Sequence, residues 1–522
     1  MNRNKMHFLI VVCLSVLLIG SVIQAATPIY PLKTDVTLTW WMELHPNVAL
    51  VAKNFGDTDF AKELQKRTGV KVKFLHPAVG QADEAFNLML ASGDFPDIVE
   101  YTWFGVPGGV ASAYDNKYII KLNPILDKYA PNLKNYLKTN PQYAKMVMDD
   151  QSNYYVFPFV RGDESLIGTK GPLIRKDWLD ELGLKVPETI DEWYQVLKAF
   201  KEKKGATLPL SLEAVNLSVC FAGGFDNFDS FYVDHGKVKN GITEPNRKLF
   251  LETMRKWYNE GLLDRNYATV TRKNLDAYFM TGKSGATYGQ GGSVLGRYLD
   301  AMKDKDAKFN MVAAPFPSPK KGQLTRFAKR SLPAGEPGNQ GNAAITTRCK
   351  NVEVAARLLD YGYSKEGNMF YNFGIEGISY KMVNGYPTYT ELIMRNPQNL
   401  SNTQVMSKYM RGHTNGPFVQ DKRYLEQYYE TPQQKQAMQI WKNNDYSKYR
   451  LPPVTPKAEE GQELAKIMNE INTYSDEMTL KFIMGVEPLD HFPQFVAQLN
   501  KLGLPRAIAI YQAALDRYNK RK

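Results

Sequence analysis

Two lobes of the α/β class are what the sequence predicts, and three observations carry that expectation. The chain has 522 residues, too many for one ordinary hydrophobic core, so two lobes of roughly 200 residues or more are expected. Strand-like and helix-like segments alternate from Val36 to Glu100, the order that builds a parallel sheet with helical crossovers. Gly171 to Lys204 then repeats the grammar: an apolar strand, a short helix stopped at Gly183, a Pro-containing turn and a second helix.

The first 26 residues stand apart from the fold. Arg3 and Lys5 precede an apolar run from Phe8 to Gly20, and small residues follow at Ala25-Ala26, the layout of a secretory signal peptide. An uncleaved membrane anchor is the alternative, since Phe8 to Ala26 nearly spans a bilayer. Val36 to Met42 (VTLTWWM) alternates and is rich in β-formers, predicting a strand. A helix around Thr58 to Thr68, ended by Gly69, leads to a strand at Val70 to Leu75. A helix near Glu84 to Ala91 then leads through Gly93 to the strand Asp97 to Glu100.

Tyr154 to Val160 (YYVFPFV) is expected to cross to the second lobe, which opens at Gly171. There Thr189 and Glu192 form the T-x-x-E pattern of a capping box. Trp193, Val196, Leu197 and Phe200 follow at i, i+3, i+4 and i+7, placing one helix face inward. Val270 to Arg297 is expected to return to the first lobe, with Gly285 to Tyr288 strand-like and Gly289 to Ser293 a loop leading into a helix. A third crossing is expected around Ala343 to Thr347, before the helix Val352 to Tyr361. Leu451 to Pro456 reads as a connecting loop. The stripes Phe495, Leu499, Leu502 and Ile508, Tyr511, Leu515, separated by Gly503, predict a helical end. The expected division is 27–157 with 281–343 in the N-lobe, and 158–280 with 344–522 in the C-lobe. No internal repeat is present.

Charge and motifs exclude several functions. Removing the two positive charges of the leader, Arg3 and Lys5, leaves +10 of the formal +12. Basic residues are scattered rather than clustered, which argues against nucleic acid. An anionic ligand and simple solubility both accommodate the charge. Cys220 and Cys349 are read as buried free thiols, with pairing in an oxidising compartment as the alternative. H-E-x-x-H, C-x-x-C, G-x-S-x-G and a dinucleotide fingerprint are all absent. Gly282-Lys283-Ser284 imitates the tail of a phosphate loop, but Ala277 stands where its first Gly belongs. The six histidines do not cluster, so neither a metal nor a cofactor is expected. Carboxylate pairs suited to glycoside hydrolysis are spatial, and the sequence singles out none.

The Gly171–Lys204 string resembles the extracellular (family 1-like) solute-binding proteins of bacterial ABC importers. Three further strings resemble that family in the same order. They are Leu90 to Ile98 (LASGDFPDI), Asn372 to Tyr380 (NFGIEGISY) followed by Pro387, and Lys481 to Gly485 (KFIMG). The nearest branch is the large oligosaccharide-binding one that includes alginate-oligosaccharide-binding proteins. The resemblance implies a two-lobe, type II-like periplasmic-binding-protein fold, with interleaved lobes joined by a multi-strand hinge and a helical C-terminal extension. It also implies a monomer that closes on an oligosaccharide, acidic or neutral, and delivers it to ABC transporter permease subunits without catalysis. A secreted glycan-active enzyme, a receptor coupled to a sensor, and a receptor for a non-sugar solute are the rival readings. Cys13 lies inside the apolar run, with no L-x-[GA]-C arrangement at its end, so the lipid anchor common in the family is not expected. Some members carry a calcium loop after the helix that holds Trp193. Here Lys201 to Pro209 (KEKKGATLP) lacks the oxygen ligands.

Candidate ligand-binding residues follow from strand ends and from the resemblance. Open α/β sheets bind ligands beyond the carboxyl ends of their strands. Trp40, Trp41 and Glu43 close the first strand, and Glu100, Tyr101 and Trp103 the third. Trp41 and Trp103 read equally well as core. Phe159 and Arg161 sit at the first crossing. Tyr288 and Gln290 lie at the Gly-rich loop, where backbone amides can approach a ligand. Phe418 and Gln420 align with a segment that supplies a stacking aromatic in glycan-binding relatives, with either Phe418 or Val419 standing opposite their Trp. Arg161, Arg297 and Arg411 are candidates to grip a carboxylate or sulfate with two parallel hydrogen bonds. Solvated surface arginines are the plainer reading.

Overall fold

The computed structural model describes residues 30–328, 331–398 and 400–521, so the leader expected over the first 26 residues lies outside it. The first sheet has four strands in the order Asn342–Ile345, Ile98–Tyr101, Thr37–Met42, Lys71–Leu75. The three from the amino-terminal region run parallel, and Asn342–Ile345 joins antiparallel to Ile98–Tyr101. The crossover helix Asp59–Thr68 is capped by the Thr58 side chain, which accepts from the Ala61 amide, and is closed by Gly69 at φ 74°. A Cβ at Gly69 would lie 2.3 Å from the Leu32 carbonyl oxygen, so conformation and space both demand glycine there.

The second sheet runs Met311–Ala313, Lys170–Arg175, Ser284–Gln290, Leu208–Leu210. Lys170–Arg175 is antiparallel to both its neighbours, and Leu208–Leu210 is parallel to Ser284–Gln290. The helix Ile190–Lys204 buries Trp193, Val196, Leu197 and Phe200 as expected. Its cap differs in one respect. Thr189 accepts from the Glu192 amide, but the Glu192 carboxylate takes the amide of Glu188 rather than that of Thr189. The carboxyl-terminal helices Ala458–Met484, Phe492–Lys501 and Leu504–Lys520 pack into the same core as Trp193 and Trp257.

The expected division of the chain needs correcting in two places. Ser284–Gln290 does not return to the first sheet but forms the second sheet with Lys170–Arg175 and Leu208–Leu210. Asn342–Ile345 and the helices Val352–Asp360 and Lys365–Phe373 belong with the first core, where Leu358, Phe370 and Tyr371 pack beside Trp40 and Phe60. The physical reason is that these strands are buried on both faces. A strand of that kind has no polar alternation to show which sheet it enters.

The crossings lie side by side. Phe157 and Ala343 exchange both backbone hydrogen bonds, and Val160–Arg161 pairs in parallel with Val419–Gln420. Another tie joins the last helix to the first lobe: Arg517 and Arg521 both grip Asp150, at 2.7 and 2.9 Å. Cys220 and Cys349 are buried and unpaired. Among the described residues no helix is long and apolar enough to cross a membrane.

Candidate ligand-binding site

The parallel register sets Met42 beside Glu100, so the first and third strands end together. Beyond those ends a recess of about 280 Å³ opens. Glu43 and His45 come from the first strand's exit, Glu100 from the third, Gln340 from the segment re-entering the first sheet, and Arg411, Thr414 and Asn415 from a later segment. The site thus gathers side chains separated by several hundred residues of chain.

Its anchor is an ion pair. Glu100 is 2 % exposed and Arg411 4 %. Arg411 Nη2 donates to Glu100 Oε1 at 2.6 Å and Nη1 to Oε2 at 3.0 Å. Two charges this deep must be paired and hydrogen-bonded. The Arg411 amide donates to the Tyr371 carbonyl, and its guanidinium lies 5.4 Å from the Phe55 ring centre. Gly416 leaves room for it, since a Cβ there would sit 2.8 Å from Arg411 Cζ.

Glu43 is half-buried and has no cation partner among the described residues. Burial raises its carboxyl above the ordinary range, a hydrogen bond with Gln340 opposes that shift, and the charge of Asp83 adds to it. Tyr101 donates its hydroxyl to Asp83 at 2.6 Å. His45 caps the helix Pro46–Ala49, its Nδ1 accepting from the Asn47 amide at 3.1 Å, which leaves the proton on Nε2. The His413 ring meets that of His45 nearly edge-on at 6.2 Å, and its Nε2 lies 2.9 Å from Ser407 Oγ. Burial and the Arg411 charge push His45 down to about 4. Burial, His45 and Arg411 together push His413 down to about 3.

The structure places the expected residues unevenly. Glu43 lines the recess. Tyr101 and Trp41 do not line it but pack edge-to-face at 5.4 Å within the core, with little surface of their own. Trp103 is wholly buried and donates to the Val99 carbonyl at 2.9 Å. Phe159 and Phe418 are buried against each other at 5.4 Å, and Gln420 is buried with its amide on the Gly412 carbonyl. Tyr288 is buried in the second core, while Gln290 stands half-buried at the carboxyl end of Ser284–Gln290 and accepts from Ser293. In this conformation Trp103, Phe159 and Phe418 present no face to a ligand.

The three candidate arginines all hold protein carboxylates: Arg161 binds Glu336 at 2.9 Å, Arg297 binds Asp276, and Arg411 binds Glu100. Residues not anticipated are His45, Gln340 and Asn415. Only His45 carried a signal, two positions beyond Glu43. A second hollow of about 310 Å³ lies at the amino end of the helix Ile190–Lys204, beside Tyr194, Lys256 and Trp257, and takes no residue from the first sheet. Among the described residues no three side chains are grouped to hold a metal ion.

Such a recess, with carboxylate and hydroxyl acceptors beside amide and imidazole donors, suits a neutral polar solute. Comparison with known proteins identifies the family. The chain belongs to the bacterial extracellular solute-binding protein family, whose sequence profile matches residues 53–369, more than half of the chain. It is 24% identical to FusA, the fructooligosaccharide ABC transporter substrate-binding protein of Streptococcus pneumoniae, over 94% of this chain and 92% of the relative. It is 26% identical to YtcQ, the polygalacturonan/rhamnogalacturonan-binding protein of Bacillus subtilis, over 47% of this chain and 48% of that protein. Among solved structures, the alginate-binding protein AlgQ2 without calcium ion matches with a TM-score of 0.74 and 26% identity. That match covers 92% of this chain and 99% of AlgQ2. FusA in complex with kestose matches with a TM-score of 0.74 at 22% identity, over 93% and 100%. The fold is the two-lobe periplasmic-binding-protein fold.

Two outcomes follow. Arg411→Met strands Glu100 as a lone buried charge and is expected to cost about 3–5 kcal/mol in denaturant unfolding. Adding Glu100→Gln is expected to recover part of that loss. The depressed histidines act in the other direction to a paired cation. Unfolded histidines take up protons below about pH 6.5 while His45 and His413 do not. Stability is therefore expected to fall as pH drops from about 6.5 towards 4, by about 1.4 kcal/mol per pH unit for each ring. A His45→Gln, His413→Gln double variant is expected to show a visibly shallower slope over the same range.

Proposed function

We propose that this protein is the exported substrate-binding component of an ABC importer, capturing an oligosaccharide between its two sheets and passing it to membrane permease subunits. The observation that carries the reading is the recess at the carboxyl edge of the first sheet. Two of its walls, Gln340 and Arg411 to Asn415, come from segments adjoining the crossings between the lobes. A ligand held there touches the parts of the chain that move if one lobe rotates on the other, so contacts made only in the closed arrangement shift the population towards it. Permeases then read the closed shape.

Oligosaccharide is favoured over other solutes by the fructooligosaccharide, alginate and polygalacturonan named for the relatives. The leader layout and the extracellular family support export. The protein acts as a monomer without catalysis. Glu100, one of the two carboxylates in the recess, is locked to Arg411 and so is poorly placed to exchange a proton.

Small-angle X-ray scattering of the mature chain with a panel of oligosaccharides tests this. A bound member is expected to lower the radius of gyration, and chromatography is expected to recover it unaltered. Cleavage of the sugar would support the enzyme reading, and binding without compaction would contradict capture by hinge closure.

A further inference from the structure

We infer that the recess beside Glu43 seats a neutral sugar unit and discriminates against uronates, with Glu43 as the residue that sets this choice. The inference rests on the oligosaccharide reading and narrows it. Net basic charge accommodates an acidic ligand, but the charge inside the site has the opposite sign. Glu43 and Glu100 line the recess with Arg411 as its one guanidinium among the described residues, and Glu100 already takes both terminal nitrogens of that group. Asp83, close enough to act on Glu43, adds a further carboxylate, and His45 is neutral. A uronate carboxylate would enter a site whose only guanidinium is already engaged, against like charges.

The polar groups suit hydroxyls instead. A carboxylate such as Glu43 accepts two hydroxyl donors in short, charge-assisted bonds. His45 offers a proton at Nε2, and Gln340 and Asn415 carry amides able to donate and accept. Thr414 spends its own proton on the Arg411 carbonyl and keeps its lone pairs free. The volume, about 280 Å³, lies near the lower end of small-molecule sites, about 300 Å³. It fits one terminal unit of a longer chain.

The test is calorimetric titration of the mature protein with two sets of probes of matched length. One set holds neutral tri- and tetrasaccharides of glucose, galactose, mannose and fructose, and the other holds galacturonate and mannuronate oligomers. A neutral member is expected to bind at least tenfold more tightly than any uronate. Glu43→Gln is expected to weaken the neutral ligand about tenfold or more while narrowing the gap to uronates, with an unchanged melting temperature. Asn415→Ala, outside the charged cluster, is expected to weaken the same ligand. Uronates binding as well as neutral sugars, or neutral binding indifferent to both substitutions, would overturn the inference and leave the oligosaccharide reading standing. Silence from every probe of both sets would remove the oligosaccharide reading and this inference together.

Discussion

The buried pair between Glu100 and Arg411 is the constraint on which the site depends. It ties the end of the third strand to a segment more than 300 positions later in sequence, and it does so at the carboxyl edge where α/β sheets take ligands. Neither charge could stand at this depth alone. The pair also decides the electrostatics. By engaging the one guanidinium of the recess it leaves Glu43 as the charge a ligand meets, while burial, aided by the Arg411 charge, holds His45 and His413 neutral. Geometry and charge at the recess are therefore one linked arrangement rather than separate features.

A second theme is how the aromatic residues are used. The chain is rich in Tyr and Phe, yet the rings nearest the strand ends work mainly from below. Trp41, Tyr101 and Phe86 pack on one another, and Tyr101 reaches out only through its hydroxyl to Asp83. Phe159 and Phe418 hold the crossing together where Val160–Arg161 meets Val419–Gln420. Aromatic bulk here stiffens the scaffold and leaves recognition to polar groups in the recess, consistent with the rule that a buried ring serves packing before contact.

Much of the local structure was legible in the sequence because it is local. Gly69 and the Trp193 stripe act within one or two turns and behave as read, while Thr189 caps its helix without the reciprocal Glu192 bond. Glu43 was found because a strand end is visible from alternation alone. The lobe assignment of Ser284–Gln290 and Asn342–Ile345 was not legible, since strands buried on both faces carry no mark of their partners. The aromatics misled for a related reason, because a Trp or Phe at a strand end looks the same whether it faces core or cleft. Arg411 was singled out as an anion grip, but its partner, Glu100, is distant in sequence, and no spacing rule connects the two. Gln340 and Asn415 gave no signal, being ordinary polar residues in connecting segments.

The account's central claim is that the carboxyl edge of the first sheet is where the sugar sits. A crystal structure of the mature chain grown with a bound oligosaccharide tests it most directly. The account predicts a sugar unit against Glu43, Gln340 and Asn415 with the Glu100–Arg411 pair intact. Sugar seated instead in the hollow beside Tyr194 and Lys256, with the recess at Glu43 unfilled, would contradict it.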